Sequence, residues 1–305
     1  MNKEDFSFKR QSIFCSVRAG RVTEKEQYVP SHVLIHVVSG WLCVVEANSQ
    51  HIFKQGDTFF VRRNTLAKFT KHPEESGAAF KTLSIFLKKS FLQKYSPSEN
   101  IKTDPAADHA DAFCRVKKLW PSALVDNLFD SLRLYFDSGM EMSRELSEIK
   151  TREIILIIKK LDSPLFESLF HFSAPDKIDL VDFMSKNFVF NVPLETFSKM
   201  TGRSLSTFKR DFKRAFDEPP SRWLKQKRLE RAYYLIKEKN KAPSDVYLEV
   251  GFENLSHFSS SFKEAFGRYR SKAKFTLLCG PARADGLRPK ASLNDEEKWE
   301  RFSKP

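Results

Sequence analysis

Cysteine, glycine and long apolar runs are all scarce in this sequence of 305 residues. The cysteines are Cys15, Cys43, Cys114 and Cys279. No two of them form a C-x-x-C pair, so we expect reduced thiols rather than a zinc knuckle or a redox dithiol. The longest aliphatic run, Ile154–Ile158, is far shorter than the roughly 20 residues that a membrane-spanning helix needs. Residues 1–10 carry charges of both signs and lead into no apolar segment, so we expect no secretory signal and a cytoplasmic location.

Acidic residues are outnumbered by basic ones. Lys and Arg total 52 against 39 Asp and Glu, which gives a formal net charge of +13. The excess is concentrated, because ten basic and only four acidic residues lie between Thr201 and Arg231. A basic patch of this kind favours a polyanionic partner such as nucleic acid. We therefore expect any such contact in this part of the chain.

Short strand-like segments dominate the first third of the chain. Val33–Val38, Trp41–Glu46 and Thr58–Arg62 are rich in β-branched and aromatic residues and are separated by turn signals such as Ser39-Gly40. Closely spaced strands predict an antiparallel barrel or sandwich. We assign a cupin-like β-barrel or sandwich domain to residues 1–105, as the first part of an α+β protein. A loop is predicted at Ser96–Asp108.

Apolar residues recur at helical spacing from residue 112 to residue 172. Leu124, Leu128 and Leu132 follow one another at intervals of four. We predict two to four helices here and treat residues 106–172 as a helical subdomain. The leucine stripe is either part of an intramolecular core or one side of a homodimer interface. Pro175 favours a boundary at Ser173–Asp176, with Asp176 as the cap of the next helix.

The last third of the chain contains an internal repeat. The repeated residues are Phe208, Phe212 and Phe216, which return 50 positions later as Phe258, Phe262 and Phe266, and Gly202, which returns 49 positions later as Gly251. Two copies of one helix-turn-helix unit explain this pattern. We therefore predict an all-α domain with two such units over residues 173–275, followed by a flexible tail over residues 276–305.

The sequence of the first helix-turn-helix unit predicts a helix, a tight turn at Gly202 and a second helix capped by Ser204. One face of the second helix is apolar and contains Leu205, Phe208, Phe212, Ala215 and Phe216. The opposite face bears Ser206, Arg210, Lys213 and Arg214, with Lys209 at its edge. Such a face suits the major groove of DNA, where arginine pairs with guanine through two hydrogen bonds. A solvated helix face is the alternative interpretation.

The second unit repeats this arrangement with different chemistry. Its second helix presents Ser256, His257, Ser259, Ser260 and Lys263 away from its phenylalanines. It has no arginine, so we expect shape, hydroxyl and phosphate contacts more than base discrimination. His257 either donates to a phosphate or is exposed without a role. Pro219 and Pro220 open a long helix, Ser221 to about Glu238, which would hold the two reading helices about 34 Å apart, one turn of B-DNA.

The motifs that carry a family resemblance are LETFSKMTGRSLSTFKRDFKRAF, PPSRWLKQKRL and SDVYLEVGFENLSHFSSSFKEAFG. They resemble the DNA-binding domain of the AraC/XylS family of bacterial transcription regulators. The preceding part, including TREIILIIKKLDSPLFESLFHF, is similar to the ExsA-like branch, where a cupin-like domain and a helical subdomain precede the DNA-binding domain. The resemblance implies contact with RNA polymerase and base-facing roles for Ser206, Lys209, Arg210, Ser256, Ser259 and Ser260. After Phe266-Gly267 the chain departs from the family, which usually has a proline-containing turn there.

We interpret the chain as a sequence-specific regulator of transcription, an activator by preference, that binds double-stranded DNA. Its N-terminal domain would respond to a small-molecule effector or to a regulatory protein. A non-specific basic scaffold is one alternative. A cupin-type metal-dependent enzyme fused to a helical domain is the other, with candidate ligands His32, His36, His51, His72 and Glu46. The close histidine pairing and following glutamate of enzyme cupins are missing, so we expect no metal, cofactor or catalytic residue.

Overall fold

The computed structural model describes residues 12–24, 27–47, 49–96, 115–172 and 177–266. The chain divides into two compact units, residues 1–215 and 216–305. Cys15 and Cys43 are free thiols. Several predictions fall outside the described residues: the tail at 276–305, the boundary at Ser173–Asp176, most of the loop at Ser96–Asp108, and the state of Cys114 and Cys279.

Eleven strands form in the described part of the first unit. They are β1 Ile13–Arg18, β2 Val22–Thr23, β3 Tyr28–Val29, β4 His32–Ser39, β5 Trp41–Val45, β6 Gln50–Lys54, β7 Thr58–Val61, β8 Thr65–Leu66, β9 Lys68–His72, β10 Phe80–Leu87 and β11 Val116–Lys118. Antiparallel pairing builds a five-stranded sheet of order β1-β10-β4-β7-β11, a four-stranded sheet of order β2-β9-β5-β6 and the short pair β3-β8. The three predicted strands are confirmed as β4, β5 and β7, and the predicted sandwich with them.

A sandwich core fills the space between the two larger sheets. Val33 and Val37 of β4 pack there with Val44 of β5 and Phe69 of β9. Because successive side chains of a strand point to opposite faces, Leu34 points away from this core and joins the one that the sheet shares with helices. The five-stranded sheet is therefore covered on both faces. Each aliphatic side chain buried in this way contributes about 1.5–3 kcal/mol.

Ten helices form in the described ranges. They are α1 Lys89–Tyr95, α2 Ala123–Asp137, α3 Arg144–Leu161, α4 Ser163–Ser168, α5 Leu180–Asn187, α6 Leu194–Met200, α7 Leu205–Phe216, α8 Pro220–Lys237, α9 Pro243–Glu249 and α10 Leu255–Phe266. None of these helices is long and apolar enough to cross a membrane.

The helices α2, α3 and α4 confirm the prediction of two to four helices before residue 172. Leu128 and Leu132 are buried in the core between the five-stranded sheet and these helices, whereas Leu124 is 46% exposed. The two buried leucines are therefore intramolecular core. The hydroxyl oxygen of Ser143 begins α3 by accepting from the backbone N–H of Leu146 at 3.2 Å.

Three local expectations need correction. The region predicted to be helical from residue 112 contains strand β11, whose Val116 pairs with Val61 of β7 and is buried. Three residues are too few to show a period, so only the tertiary pairing reveals this strand. Helix α1 was not predicted. Helix α5 begins at Leu180 and its cap is Asp179, not Asp176, because the Asp179 carboxylate accepts from the Asp182 backbone N–H at 2.6 Å.

The β-domain contacts the start of the first helix-turn-helix unit directly. The side-chain oxygen of Gln27 accepts from the backbone N–H of Asn191 at 2.8 Å. The Lys68 ammonium lies 5.9 Å from the centre of the Phe190 ring. This contact lies in the interior of the compact unit formed by residues 1–215, because it involves the buried residues Gln27, Lys68 and Phe190.

Candidate nucleic-acid interface

Helix α7 is placed by the turn that precedes it. Gly202, at the end of α6, has φ of +65°, a conformation that costs glycine least. The Ser204 hydroxyl oxygen then accepts from the backbone N–H of Thr207 at 3.2 Å and caps α7. Both features were predicted from the sequence. The result is a short helix, a tight turn and a second helix, as a helix-turn-helix unit requires.

The two faces of α7 differ as predicted, with one exception. Phe208 and Phe212 are completely buried, and Leu205 and Phe216 are half-buried. Ala215, which the helical periodicity placed in the core, is exposed and lies in the last turn of α7. The five residues predicted to face DNA are all exposed, and they are Ser206, Lys209, Arg210, Lys213 and Arg214.

Asp211 is a buried carboxylate beneath the basic face of α7, and the sequence reasoning missed it. Arg203 Nε and Lys177 Nζ each lie 3.3 Å from Asp211 Oδ2. Burial alone raises the pKa of this carboxyl, but hydrogen bonds from Lys177 and Arg203 outweigh burial and hold the pKa below its ordinary value. Helical periodicity does hint at this burial. Residue 211 lies only about 60° from Phe208 around the helix axis and therefore beside the apolar face.

The second unit is built in the same way. Gly251, between α9 and α10, has φ of +93°, and the side-chain oxygen of Asn254 caps α10 by accepting from the His257 backbone N–H at 2.7 Å. Asn254 lies 50 positions after Ser204, so the repeat extends to the cap, a match that the sequence reasoning overlooked. The adjacent Phe252 is buried and completes the turn.

Arg228, on α8, contacts the backbone of this second turn. Its guanidinium Nη1 donates to the Gly251 carbonyl oxygen at 3.1 Å. Burial lowers the pKa of Arg228 to about 10, and Glu253 opposes the shift. At neutral pH the side chain is still charged. Arg228 therefore stabilises the fold of this turn.

Helix α10 also presents the predicted residues to solvent. Phe258 and Phe262 are buried, while Ser256, His257, Ser259, Ser260 and Lys263 are exposed. The Ser260 hydroxyl donates to the Ser256 backbone oxygen at 3.0 Å, which leaves its oxygen as an acceptor. The two helices differ in charge, because α7 has four basic residues and one acid, whereas α10 has one of each. The basic charge is therefore concentrated in α7.

The histidines considered as metal ligands lie apart. His32 and His36 share a face of β4, as predicted, but this face points toward the helices, where His36 stacks on Phe129 at 4.8 Å. His51 pairs with Glu46 in the β5–β6 hairpin at 3.2 Å, and His72 stacks on Trp41 at 3.5 Å. Among the described residues no three His, Cys, Asp or Glu side chains could together hold a metal ion.

Two helix-turn-helix units, each with an exposed polar helix, together with a β-sandwich domain, define a DNA-binding regulator with two reading helices, α7 and α10. The comparisons agree with this class. Residues 197–272 match a family model described as a helix-turn-helix domain, and residues 32–167 match the ExsA N-terminal regulatory domain. The chain belongs to the AraC family of DNA-binding transcription regulators, in its ExsA-like branch.

Relatives and solved structures give the range of similarity. The HTH-type transcriptional regulator ExsA of Pseudomonas aeruginosa is 24% identical over 242 residues, which cover 78% of this chain and 84% of that protein. The virulence regulon transcriptional activator VirF of Yersinia enterocolitica is 28% identical over 135 residues, 44% of this chain and 50% of that protein. A crystal structure of ToxT from Vibrio cholerae aligns with a TM-score of 0.35 at 13% identity, and covers 88% of this chain and 99% of that one.

Proposed function

We propose that the chain is a transcription activator that inserts α7 and α10 into successive major grooves of one DNA site. One observation carries the proposal. Each reading helix buries its first two phenylalanines and exposes every residue that the sequence assigned to DNA. The relative VirF is a transcriptional activator, which supports activation over repression. A regulator of bacterial genes works in the cytoplasm.

The two reading helices divide the work in this proposal. Arg210 and Arg214 pair with guanine edges, helped by Ser206 and Lys209, while Lys213 contacts a phosphate. On α10 the smaller residues fit closely against the groove and contact backbone or base edges, and they are Ser256, His257, Ser259, Ser260 and Lys263. Because α10 has one basic residue and no arginine, it adds affinity and shape recognition more than base choice.

We infer that the N-terminal domain regulates DNA binding and has no catalytic role. The β-domain contacts the start of the first helix-turn-helix unit, through Gln27 with Asn191 and Lys68 with Phe190. These contacts support a route by which a signal could reach the DNA-binding part. A change in the β-domain would move the segment that leads into α6. The signal is either a small molecule or a regulatory protein. No metal or cofactor is part of this proposal.

The remaining partners are proposed on separate grounds. RNA polymerase is the partner through which an activator acts. A homodimer is favoured by Ile149 and Leu156 of α3, which are 59% and 50% exposed and lie seven residues apart, on one side of the helix. Apolar side chains in such a row are typical of an interface.

Competition between DNA sequences tests the proposal. The full-length protein is used to select duplexes from a random-sequence pool, and binding to the enriched duplex is then challenged with excess random DNA at moderate salt. A sequence-specific regulator retains the enriched duplex, because specific binding is typically at least about 1,000-fold tighter than non-specific binding. A protein that enriches no sequence, or releases it to an equal excess of random DNA, is a non-specific scaffold.

A further inference from the structure

Asp211 is an acid on a helix whose exposed face is basic, and DNA contact alone does not account for it. One of its oxygens, Oδ2, is tied to the frame of the unit by Arg203 and Lys177, each at 3.3 Å. Arg203 in turn donates to the backbone oxygens of Ile178 at 3.0 Å and Thr201 at 2.6 Å. These bonds connect the carboxylate to the turn before α7. The carboxylate is therefore held in one place.

The other oxygen, Oδ1, faces the proposed DNA surface. Arg210 Nε lies 3.6 Å from it and Arg214 Nη2 lies 3.7 Å from it. Both arginine side chains are otherwise open to solvent, at 77% and 80% exposed. An arginine on a helix surface samples many rotamers, and a fixed anion beside its guanidinium restricts that sampling. Asp211 thus has one oxygen for the scaffold and one for the two reading arginines.

The internal repeat provides a comparison within the chain. The position 50 residues after Asp211 is Ser261, which is buried but carries no charge. Helix α10 also has no arginine on its exposed face. Of the two reading helices, only α7 has a buried carboxylate, and α7 is also the one with arginines on its exposed face.

We propose that Asp211 is a specificity-determining positioning residue, which orients Arg210 and Arg214 for base contact and lowers the affinity of α7 for random DNA. The proposal rests on the proposed function of α7 as a reading helix. Preorganised arginines lose less conformational entropy at the correct site. A fixed negative charge beneath them weakens the sequence-independent attraction to phosphates. The two effects act in opposite directions on affinity but both increase discrimination.

The test compares full-length variants on two duplexes of equal length, one selected by the wild-type protein and one random. Asp211→Asn removes the charge, and Glu195→Gln is the matched control, because Glu195 is an exposed acid on α6 of the same unit. We expect Asp211→Asn to bind random DNA about twofold more tightly and to lower the ratio of selected to random affinity about fivefold. Glu195→Gln should leave that ratio within about twofold.

A second background separates positioning from stability. In a protein that carries Arg210→Ala and Arg214→Ala, Asp211→Asn has no arginines to release, so the fall in the ratio should shrink from about fivefold to within about twofold, the part that loss of the charge alone contributes. Because Asp211→Asn leaves Arg203 buried and unpaired, the neutral pair Arg203→Gln with Asp211→Asn replaces it if circular dichroism shows loss of fold. The proposal is overturned if the ratio matches that of Glu195→Gln, or if the fall of about fivefold persists without the arginines. A wild-type protein that selects no duplex refutes the proposed function itself.

Discussion

Arg210 and Lys213 lie three residues apart on α7, and both are exposed, yet their chemistry differs. A guanidinium is planar and can bond the two acceptors of a guanine edge, whereas an ammonium acts as a point charge. We expect Arg210 to read sequence and Lys213 to hold the phosphate backbone.

This division predicts different losses. Arg210→Ala should weaken binding to the selected duplex by about 1–3 kcal/mol and relax preference at one or two base pairs. Lys213→Ala should weaken selected and random DNA alike and lower the salt slope by about one. Titrations at several salt concentrations measure both effects. Equal proportional losses on all sequences would show that the two residues have the same role.

His32 is a buried titratable group of the β-domain, with 1% of its surface exposed. Its Nδ1 accepts from the backbone N–H of Arg63 at 3.2 Å, and its Nε2 has no hydrogen-bond partner within the described ranges. Burial holds the pKa of His32 well below its ordinary value, and Arg63, Arg62 and His171 act in the same direction. The unfolded chain therefore takes up this proton more readily than the folded one.

The direction of the pKa shift predicts lower stability in acid. The contribution of neutral His32 is complete above the unfolded pKa, near 6.5, and is lost as the pH falls, by up to about 2 kcal/mol at pH 5. His32→Asn keeps an acceptor for Arg63 but cannot titrate, so its Tm should fall less between pH 7 and pH 5 than that of the wild type. Parallel melting curves for the two proteins across this range would contradict the assignment.

At the scale of elements, α2 offers a matched pair of leucines. Leu128 is 1% exposed within the core of sheet and helices, and Leu134 of the same helix is 67% exposed. Leu128→Glu should cost more than about 3 kcal/mol and unfold the N-terminal domain, because it buries a charge and removes packing. Leu134→Glu should remain folded by circular dichroism. A folded Leu128→Glu protein would show that the stripe is not core.

Periodicity predicted the elements that follow one pattern for several turns or strands. The sequence predicted α7 and α10 because the repeated phenylalanines and the glycine before each helix point to the same assignment. Strand β11 and helix α1 were missed because their stability comes from neighbours distant in the chain. The common face of His32 and His36 could be read from β4, but alternation alone does not say which layer covers that face.

Tertiary contact also decides what each charged residue does. The sequence shows Arg228 among the cations of α8, and only the fold places it on the Gly251 carbonyl. Asp211 similarly becomes informative only once Arg203 and Lys177 are brought to it from outside α7. The exposed residues of the reading helices were easier to predict, because the apolar stripe defines their direction.

For the whole molecule, the account predicts that DNA binding belongs to the last hundred or so described residues. A fragment of residues 175–273 contains both helix-turn-helix units and their linking helix, so it should fold as an all-helical unit and bind duplex DNA. It lacks Gln27 and Lys68, so its binding should no longer respond to changes in the β-domain. Circular dichroism and DNA titration at low salt measure both properties. A folded fragment without DNA binding would refute the assignment.

The central claim is that two reading helices of one chain occupy successive major grooves. Hydroxyl-radical footprinting of the full-length protein on its selected duplex tests this most directly. The account predicts two protected patches on one face of the DNA, with centres about 10 base pairs apart. Arg210→Ala should weaken the patch that α7 produces more than the other. A single patch, or uniform protection along the duplex, would contradict the claim.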